Sequence, residues 1–150
     1  MSGPSVTVEL FDAAEMDAQI RKMAHQVLGD FPDEERIKLV GIRRRGVSVA
    51  DRLAAHLSRI TGRRFDQGEI TGLTQWAAIQ VILNHGSPEA VRVAVLASRL
   101  KGVIPIHAHY VGSYLSVAET DVIEVRVREY DGEERIILTG RARRDTAAAS

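Results

Sequence analysis

The stretch that decides the fold is Lys38–Ala54, KLVGIRRRGVSVADRLA. A short apolar run leads into three arginines and a glycine, and apolar residues then recur at helical spacing, so the pattern predicts a strand, a basic turn and a helix. A glycine-containing turn at a helix N-terminus exposes backbone N–H groups that favour an anion. Arg43, Arg44 and Arg45 add guanidinium donors suited to phosphate. We therefore expect a phosphate or pyrophosphate site that includes Gly46, with an ordinary solvated basic turn as the alternative.

The composition is typical of a soluble globular protein, with 45% hydrophobic and 27% charged residues among 150. This length predicts a single domain over 1–150, with disordered ends at 1–5 and 141–150. Acidic and basic residues balance at 20 each, so a nucleic-acid contact would need a local basic patch. The chain has no cysteine, which excludes disulfides, thiolate catalysis and cysteine-based zinc sites. No apolar run has membrane-spanning length, and we expect a cytoplasmic protein without membrane contact.

Predicted strands and helices alternate along most of the chain. A capping box at Asp12–Glu15 predicts the start of the first helix, and Ala90–Ala97 is typical of a buried strand. Asp131-Gly132 predicts a hairpin turn between Val122–Val127 and Arg135–Leu138. The predicted fold class is α/β, with a reduced parallel sheet flanked by helices and a C-terminal antiparallel hairpin that adds edge strands.

Several of these segments, in the same order, make the chain resemble the PyrR proteins, which regulate pyrimidine operons by attenuation and act as uracil phosphoribosyltransferases. The resemblance covers most of the chain and implies the type I phosphoribosyltransferase fold. In it, the strand, turn and helix of KLVGIRRRGVSVADRLA resemble the family's pyrophosphate loop and its flanking elements. The other matching segments are ELFDAAEMDAQIRKMAHQVL, SPEAVRVAVLASR, IPIHAHYVG and VRVREYDGEERI.

The family's diagnostic loop consists of an apolar strand, two adjacent acids and Thr-Gly-x-Thr at a helix start. Its acids bind the ribose hydroxyls of phosphoribosyl pyrophosphate, and its turn binds the 5′-phosphate. The counterpart here is Phe65–Thr74, FDQGEITGLT, in which a glutamine replaces the second acid. The resemblance implies Asp66 as the catalytic, sugar-binding acid and Thr71, Gly72 and Thr74 as phosphate ligands. Alternatively, QGEI is the remainder of a different family strand, Asp66 is not that acid, and the threonines only cap a helix.

Other departures from the family also bear on catalysis. Between Gly62 and Thr71 the chain is too short for the additional strand, the flap and the strand before the acidic loop that a family member would have. The family's Asp-Arg-Gly-His-Arg-Glu loop beside the base reads SRLKGV here, which leaves Arg99 as the base-side residue. We therefore predict a shortened, degenerate form whose transferase catalysis is impaired. An active enzyme would require Mg²⁺, and no other cofactor is predicted.

The family's RNA contacts lie on a basic surface of a dimer, partly on the first helix. Lys22 and His25 stand at matching positions and Arg21 lies beside them, which implies an RNA-binding surface. The alternatives are a solvated helix face and a core histidine at position 25. His107 and His109 have strand spacing that would suit a metal ion, but no third ligand is evident and no metal site is predicted.

Three functions remain open. The first is a PyrR-like protein, catalytically impaired, that binds a nucleotide, RNA or a protein partner. We expect it to be a homodimer or higher homo-oligomer, because a missing strand exposes sheet edge and apolar surface. The second is an active uracil phosphoribosyltransferase and pyrimidine-operon regulator. The third is a structural or assembly protein without a small-molecule ligand.

Overall fold

The computed structural model describes residues 5–32, 36–71, 75–99, 108–118 and 120–141. Over these ranges strands and helices alternate in the first part of the chain, three strands then follow one another, and a short helix precedes the last strand. In order, the elements are β1 (Ser5–Phe11), α1 (Ala13–Asp30), β2 (Lys38–Ile42), α2 (Arg45–Thr61), β3 (Asp66–Ile70), α3 (Gln75–His85), β4 (Ala94–Arg99), β5 (Tyr110–Leu115), β6 (Val122–Arg126), α4 (Arg128–Asp131) and β7 (Arg135–Arg141).

Helix α1 begins at the predicted capping box. The Asp12 carboxylate accepts a hydrogen bond of 2.8 Å from the Glu15 N–H, so Asp12 is confirmed as the N-cap. One face of α1 is buried, with Met16, Ile20 and Met23 almost fully enclosed. Because apolar residues three and four apart lie on one side of a helix, this face forms the centre of the hydrophobic core.

Two parallel strand pairs form the α/β part of the molecule. Strand β2 pairs with β3 from Lys38↔Asp66 to Ile42↔Ile70, and β4 pairs with β5. The α/β class with parallel strands flanked by helices is confirmed. Among the described residues the parallel strands form two separate pairs, because no described strand joins β2 to β4.

The antiparallel strands form a separate sheet in the order β1-β7-β6. The predicted hairpin is confirmed, but its turn is the short helix α4, followed by Gly132 at φ +70°. The hairpin does not extend the parallel strands, because β7 pairs along its length with β1, from Ser5↔Arg141 to Phe11↔Ile136. Ser5 and Arg141 are therefore strand residues, and the rest of the two ends that we expected to be disordered lies outside the described residues.

The core connects all three sheets through α1 and α2. It contains Leu53 and Leu57 from α2, Leu96 from β4 and Ile136 from β7, packed against α1. At the rim of this core, His56 Nε2 of α2 lies 2.8 Å from Asp17 Oδ1 of α1. No helix in the described part of the chain is long and apolar enough to cross a bilayer.

Candidate anion-binding turn

The turn from β2 to α2 depends on a close backbone contact at Gly41. A Cβ on Gly41 would lie 2.5 Å from Val47 Cα and 2.9 Å from the Gly46 carbonyl oxygen. A glycine is therefore needed for the end of the strand to pass this close to the first turn of the helix. The predicted strand, turn and helix are confirmed. Gly46 lies in the first turn of α2, and the N-cap residue Arg44 makes no side-chain capping hydrogen bond.

The three arginines of this turn have different surroundings. Arg43 Nη2 lies 3.2 Å from Glu69 Oε1, and both side chains are more than half exposed. Arg45 forms a bidentate ion pair with Asp131. Arg45 Nε lies 3.0 Å from Asp131 Oδ2, and Arg45 Nη2 lies 2.6 Å from Asp131 Oδ1. Arg44 is exposed, and within the described ranges it has no ion-pair partner. Arg44 is thus the guanidinium group that remains available to an anion.

The Asp131 carboxylate is a structural partner of Arg45 that our sequence reasoning did not find. It is largely buried and also accepts the Val127 N–H at 2.8 Å. The hydrogen bonds from Arg45 lower the pKa of Asp131 to about 2, and the same contact raises the pKa of Arg45. The two residues are 86 positions apart, so no local pattern joins them. The nearest sequence signal is the acidic run EYDGEE after β6.

A second arginine of α2 strengthens this link to the hairpin. Arg52 donates to Glu129 Oε1 at 2.7 Å and also bonds Glu134 and the Ser48 carbonyl oxygen. Its hydrogen bond to Glu129 lowers the pKa of that carboxyl to about 2. The N-terminal half of α2 is therefore tied to α4 and to Glu134 after it by two arginines that contact three carboxylates.

The carboxyl end of β3 lies beside the same turn. The Arg43 N–H donates to the Ile70 carbonyl oxygen at 2.9 Å, and the exposed Thr71 follows directly. The structure thus places Thr71 next to the arginine turn, as the phosphate-site prediction requires. The other two predicted phosphate ligands, Gly72 and Thr74, lie outside the described residues.

Asp66 lies at the opposite end of β3. It pairs with Lys38 at the amino end of β2, about 13 Å from the level of Ile70 at roughly 3.3 Å per residue. The structure therefore does not bring Asp66 to the arginine turn. This position favours the alternative in which QGEI belongs to a different family strand. The catalytic role of Asp66 stays a prediction.

The remaining predicted site residues are dispersed. Arg99 ends β4, and its side chain lies outside what the structure describes. Lys22 Nζ donates to the Gly112 carbonyl oxygen of β5 at 2.7 Å, so Lys22 links α1 to a strand. Arg21 and His25 are exposed on α1, and the core alternative for His25 is wrong.

The histidines do not form a metal site in the described part of the chain. His109 Nδ1 lies 3.2 Å from the Val93 backbone N–H, and His107 is outside the described residues. No group of three or more His, Asp or Glu side chains converges there to hold a metal ion. At the arginine turn, the two described carboxylates that contact it are Glu69 and Asp131, and each is paired with an arginine. These residues do not fit a protein-held Mg²⁺ ion.

Comparison with known proteins identifies the relatives of this chain. No family model matches it. The Bifunctional protein PyrR of Elusimicrobium minutum is 28% identical, and the match covers 85% of this chain and 93% of that protein. The Bifunctional protein PyrR of Deinococcus deserti is also 28% identical, and the match covers 92% of this chain and 96% of that protein. The chain is thus similar in sequence to PyrR proteins over most of its length.

The solved structures give the same fold. Hypoxanthine phosphoribosyltransferase from Trypanosoma cruzi, in complex with the product IMP, matches with a TM-score of 0.71 at 15% identity and covers 89% of this chain and 90% of that one. A hypoxanthine-guanine-xanthine phosphoribosyltransferase matches with a TM-score of 0.64 at 12% identity, and the match covers 94% of this chain and 97% of that one. The chain therefore has the phosphoribosyltransferase fold.

The alignment with the PyrR relatives also measures how much shorter this chain is. The alignment with the Elusimicrobium protein is 167 positions long. It includes 85% of the 150 residues of this chain, which is about 128 residues. About 40 positions of that PyrR protein therefore have no counterpart here, which agrees with the shortened form that we predicted. The separation of β2 from β4 is consistent with a strand lost between them.

Proposed function

We propose that this protein binds a phosphate-bearing ligand, of the nucleotide or sugar-phosphate class, at the β2–α2 turn, and does not catalyse phosphoribosyl transfer. One observation carries the proposal. The exposed Arg44, with no ion-pair partner in the described ranges, stands at a helix N-terminus that its side chain does not cap, with Thr71 alongside. Backbone N–H groups, a helix dipole and a free guanidinium together favour an anion.

The placement of the acids supports binding without turnover. Displacement of pyrophosphate at an anomeric carbon requires charge stabilisation on the sugar and on the leaving group, in a site that excludes water. The candidate acid Asp66 lies at the far end of β3, and about 40 positions present in a PyrR relative are missing. Loss of even one positioned group in an active site typically costs about 3–4 kcal/mol of transition-state stabilisation.

Calorimetric titration with uridine monophosphate and with phosphoribosyl pyrophosphate, each with and without Mg²⁺, tests this function. We expect saturable binding that Arg44→Gln weakens about tenfold, since a hydrogen bond to a charged group contributes roughly 1.5–3 kcal/mol. Arg45→Gln is the matched control, because the Arg45 guanidinium is already paired with Asp131. This variant should weaken binding much less. A turnover assay with uracil should show no product.

Three outcomes would contradict the proposal. Binding that is equally strong in the Arg44→Gln variant would place the ligand elsewhere. Formation of uridine monophosphate from uracil and phosphoribosyl pyrophosphate would instead support the active uracil phosphoribosyltransferase. Absence of heat with every ligand, from a protein folded by circular dichroism, would leave the structural or assembly function.

RNA is the second ligand class that we propose, on the exposure of Arg21 and His25 on α1 together with the resemblance to PyrR proteins. A filter-binding assay with the leader transcript of a pyrimidine operon checks it. Arg21→Ala should weaken retention, while Glu89→Ala, an exposed change away from α1, should not. If the two variants retain equal amounts of RNA on the filter, the exposed face of α1 is not the RNA-binding surface.

A further inference from the structure

A groove runs between helix α2 and strand β3. It consists of two adjoining cavities of about 550 Å³ and 180 Å³, which share Asp51 and Gln67. The helix side presents small residues such as Ala54 and Ser58, and the strand side continues to Glu69. Neither Arg44 nor Thr71 lines it, so the groove is distinct from the anion-binding turn.

The strand side of the groove has a backbone edge that no described strand pairs with. In the described residues β3 pairs with β2 alone. The Ile70 carbonyl oxygen accepts the Arg43 N–H, so the backbone groups of Ile70 face β2. In a parallel pair these groups alternate in direction along the strand, and those of Gln67 and Glu69 therefore point away from β2. An unpaired edge of this kind is a template for another strand.

The charge of the groove indicates what such a strand would carry. Asp51 on α2 and Asp66 on β3 are both exposed, and within the described ranges neither has an ion-pair partner. Arg64 is the one cation among the residues lining the groove. Basic side chains would find carboxylates on both walls. The small side chains of α2 leave width for the long stems of arginine or lysine.

We propose that this groove binds an extended segment of a partner protein that carries basic side chains, which adds to the free edge of β3 as a further strand beside α2. Main-chain hydrogen bonds to Gln67 and Glu69 would provide affinity, and Asp51 and Asp66 would select the basic residues. The inference goes beyond the proposed ligand site and does not depend on it.

Synthetic peptides test the main-chain contacts without altering the protein. The probe is a fluorescein-labelled peptide, Arg-Val-Arg-Val-Arg, followed by fluorescence anisotropy, with Glu-Val-Glu-Val-Glu as the charge control. We expect the basic peptide alone to bind. Two further peptides carry N-methyl groups on the odd or on the even residues. Because a strand directs alternate N–H groups to its neighbour, one methylated peptide should lose binding about tenfold or more and the other should keep it.

Variants of the protein test the walls of the groove. Gln67→Pro removes an outward N–H, a position at which an edge strand tolerates proline, and should weaken binding about tenfold. Asp51→Lys should also weaken it, while Glu89→Lys, an exposed change outside the groove, should not. Equal binding of both N-methylated peptides, or of the acidic peptide, would overturn the proposal. If no peptide binds but Gln67→Pro changes the oligomeric state, the groove receives a second copy of this chain instead.

Discussion

At the scale of single residues, the β2–α2 turn depends on the absence of a side chain at Gly41. An added methyl group would meet the backbone of Val47 at 2.5 Å, and backbone atoms cannot move aside as a flexible side chain can. Gly41→Ala should therefore lower the free energy of unfolding by about 1–3 kcal/mol, the usual cost of overpacking. Urea denaturation followed by circular dichroism measures this.

Gly29 provides the matched control for this substitution. A Cβ on this α1 residue would meet no atom within 4 Å, and alanine is the better helix former by roughly 0.5–1 kcal/mol. Gly29→Ala should be neutral or stabilising. Equal effects of the two substitutions would show that the close contact at Gly41 does not constrain the turn.

The carboxylates that hold the arginines predict how stability depends on pH. The pKa values of Asp131 and Glu129 are each about 2 in the folded protein, below the values near 4 expected in the unfolded chain. A carboxyl group whose pKa is lower in the folded protein than in the unfolded chain stabilises the fold at pH values above its unfolded pKa. This stabilisation is lost as the pH falls towards the folded pKa. The free energy of unfolding should therefore decrease between about pH 4 and pH 2.

Asp131→Asn separates one of these contributions from general acid denaturation. The amide cannot be protonated in this range, so the variant should lose less stability than the wild type over the same pH interval. Urea unfolding at pH 6, 4 and 3 checks the difference. An identical pH slope for the two proteins would mean that the Arg45–Asp131 contact contributes nothing measurable.

At the scale of elements, the contact between α1 and β5 predicts different roles for two neighbouring cations. Lys22 Nζ donates to the Gly112 carbonyl oxygen, whereas Arg21 is exposed on the same helix. Lys22→Ala should lower the free energy of unfolding by about 1 kcal/mol, and Arg21→Ala should change it little. Thermal and urea unfolding measure both. A greater loss in the Arg21 variant would contradict the assignment of Lys22 as the link.

The elements that the sequence predicted well are those with a strong local pattern. The capping box at Asp12–Glu15 and the amphipathic spacing of α2 depend on residues within a few positions of each other. Strand β3 had no such signal, because DQGEI is short, polar and without alternation. Its formation depends on pairing with β2, a contact between residues 28 positions apart in the chain.

At the scale of the whole molecule, the edges of β2, β4 and β5 that no described strand pairs with lead us to predict self-association. The two parallel pairs are not joined by a described strand, and two-stranded units are marginal alone. Exposed edges favour pairing with a further strand. Sedimentation analysis at micromolar concentration should therefore give the mass of a homodimer or a higher oligomer. A concentration-independent monomer mass would contradict this expectation.

The sequence by itself indicated the resemblance to PyrR proteins and determined the fold class. The order of its segments indicated the resemblance to PyrR proteins, hydrophobic periodicity indicated the helices, and the run of arginines and Asp131-Gly132 indicated the two turns. It also indicated a shortened chain, because a missing segment can be seen by comparing spacing. Because these features depend on residues close together in the chain, they can be predicted from local sequence.

Only the tertiary structure decided how the arginines of the turn are used. It assigned Arg45 to Asp131 and Arg43 to Glu69, and left Arg44 exposed. It placed Asp66 at the far end of its strand and the hairpin in a sheet with β1. The physical reason is that ion pairs and strand order join residues far apart in the chain. A carboxylate 86 positions from its arginine becomes its partner only when helix, hairpin and core have packed together.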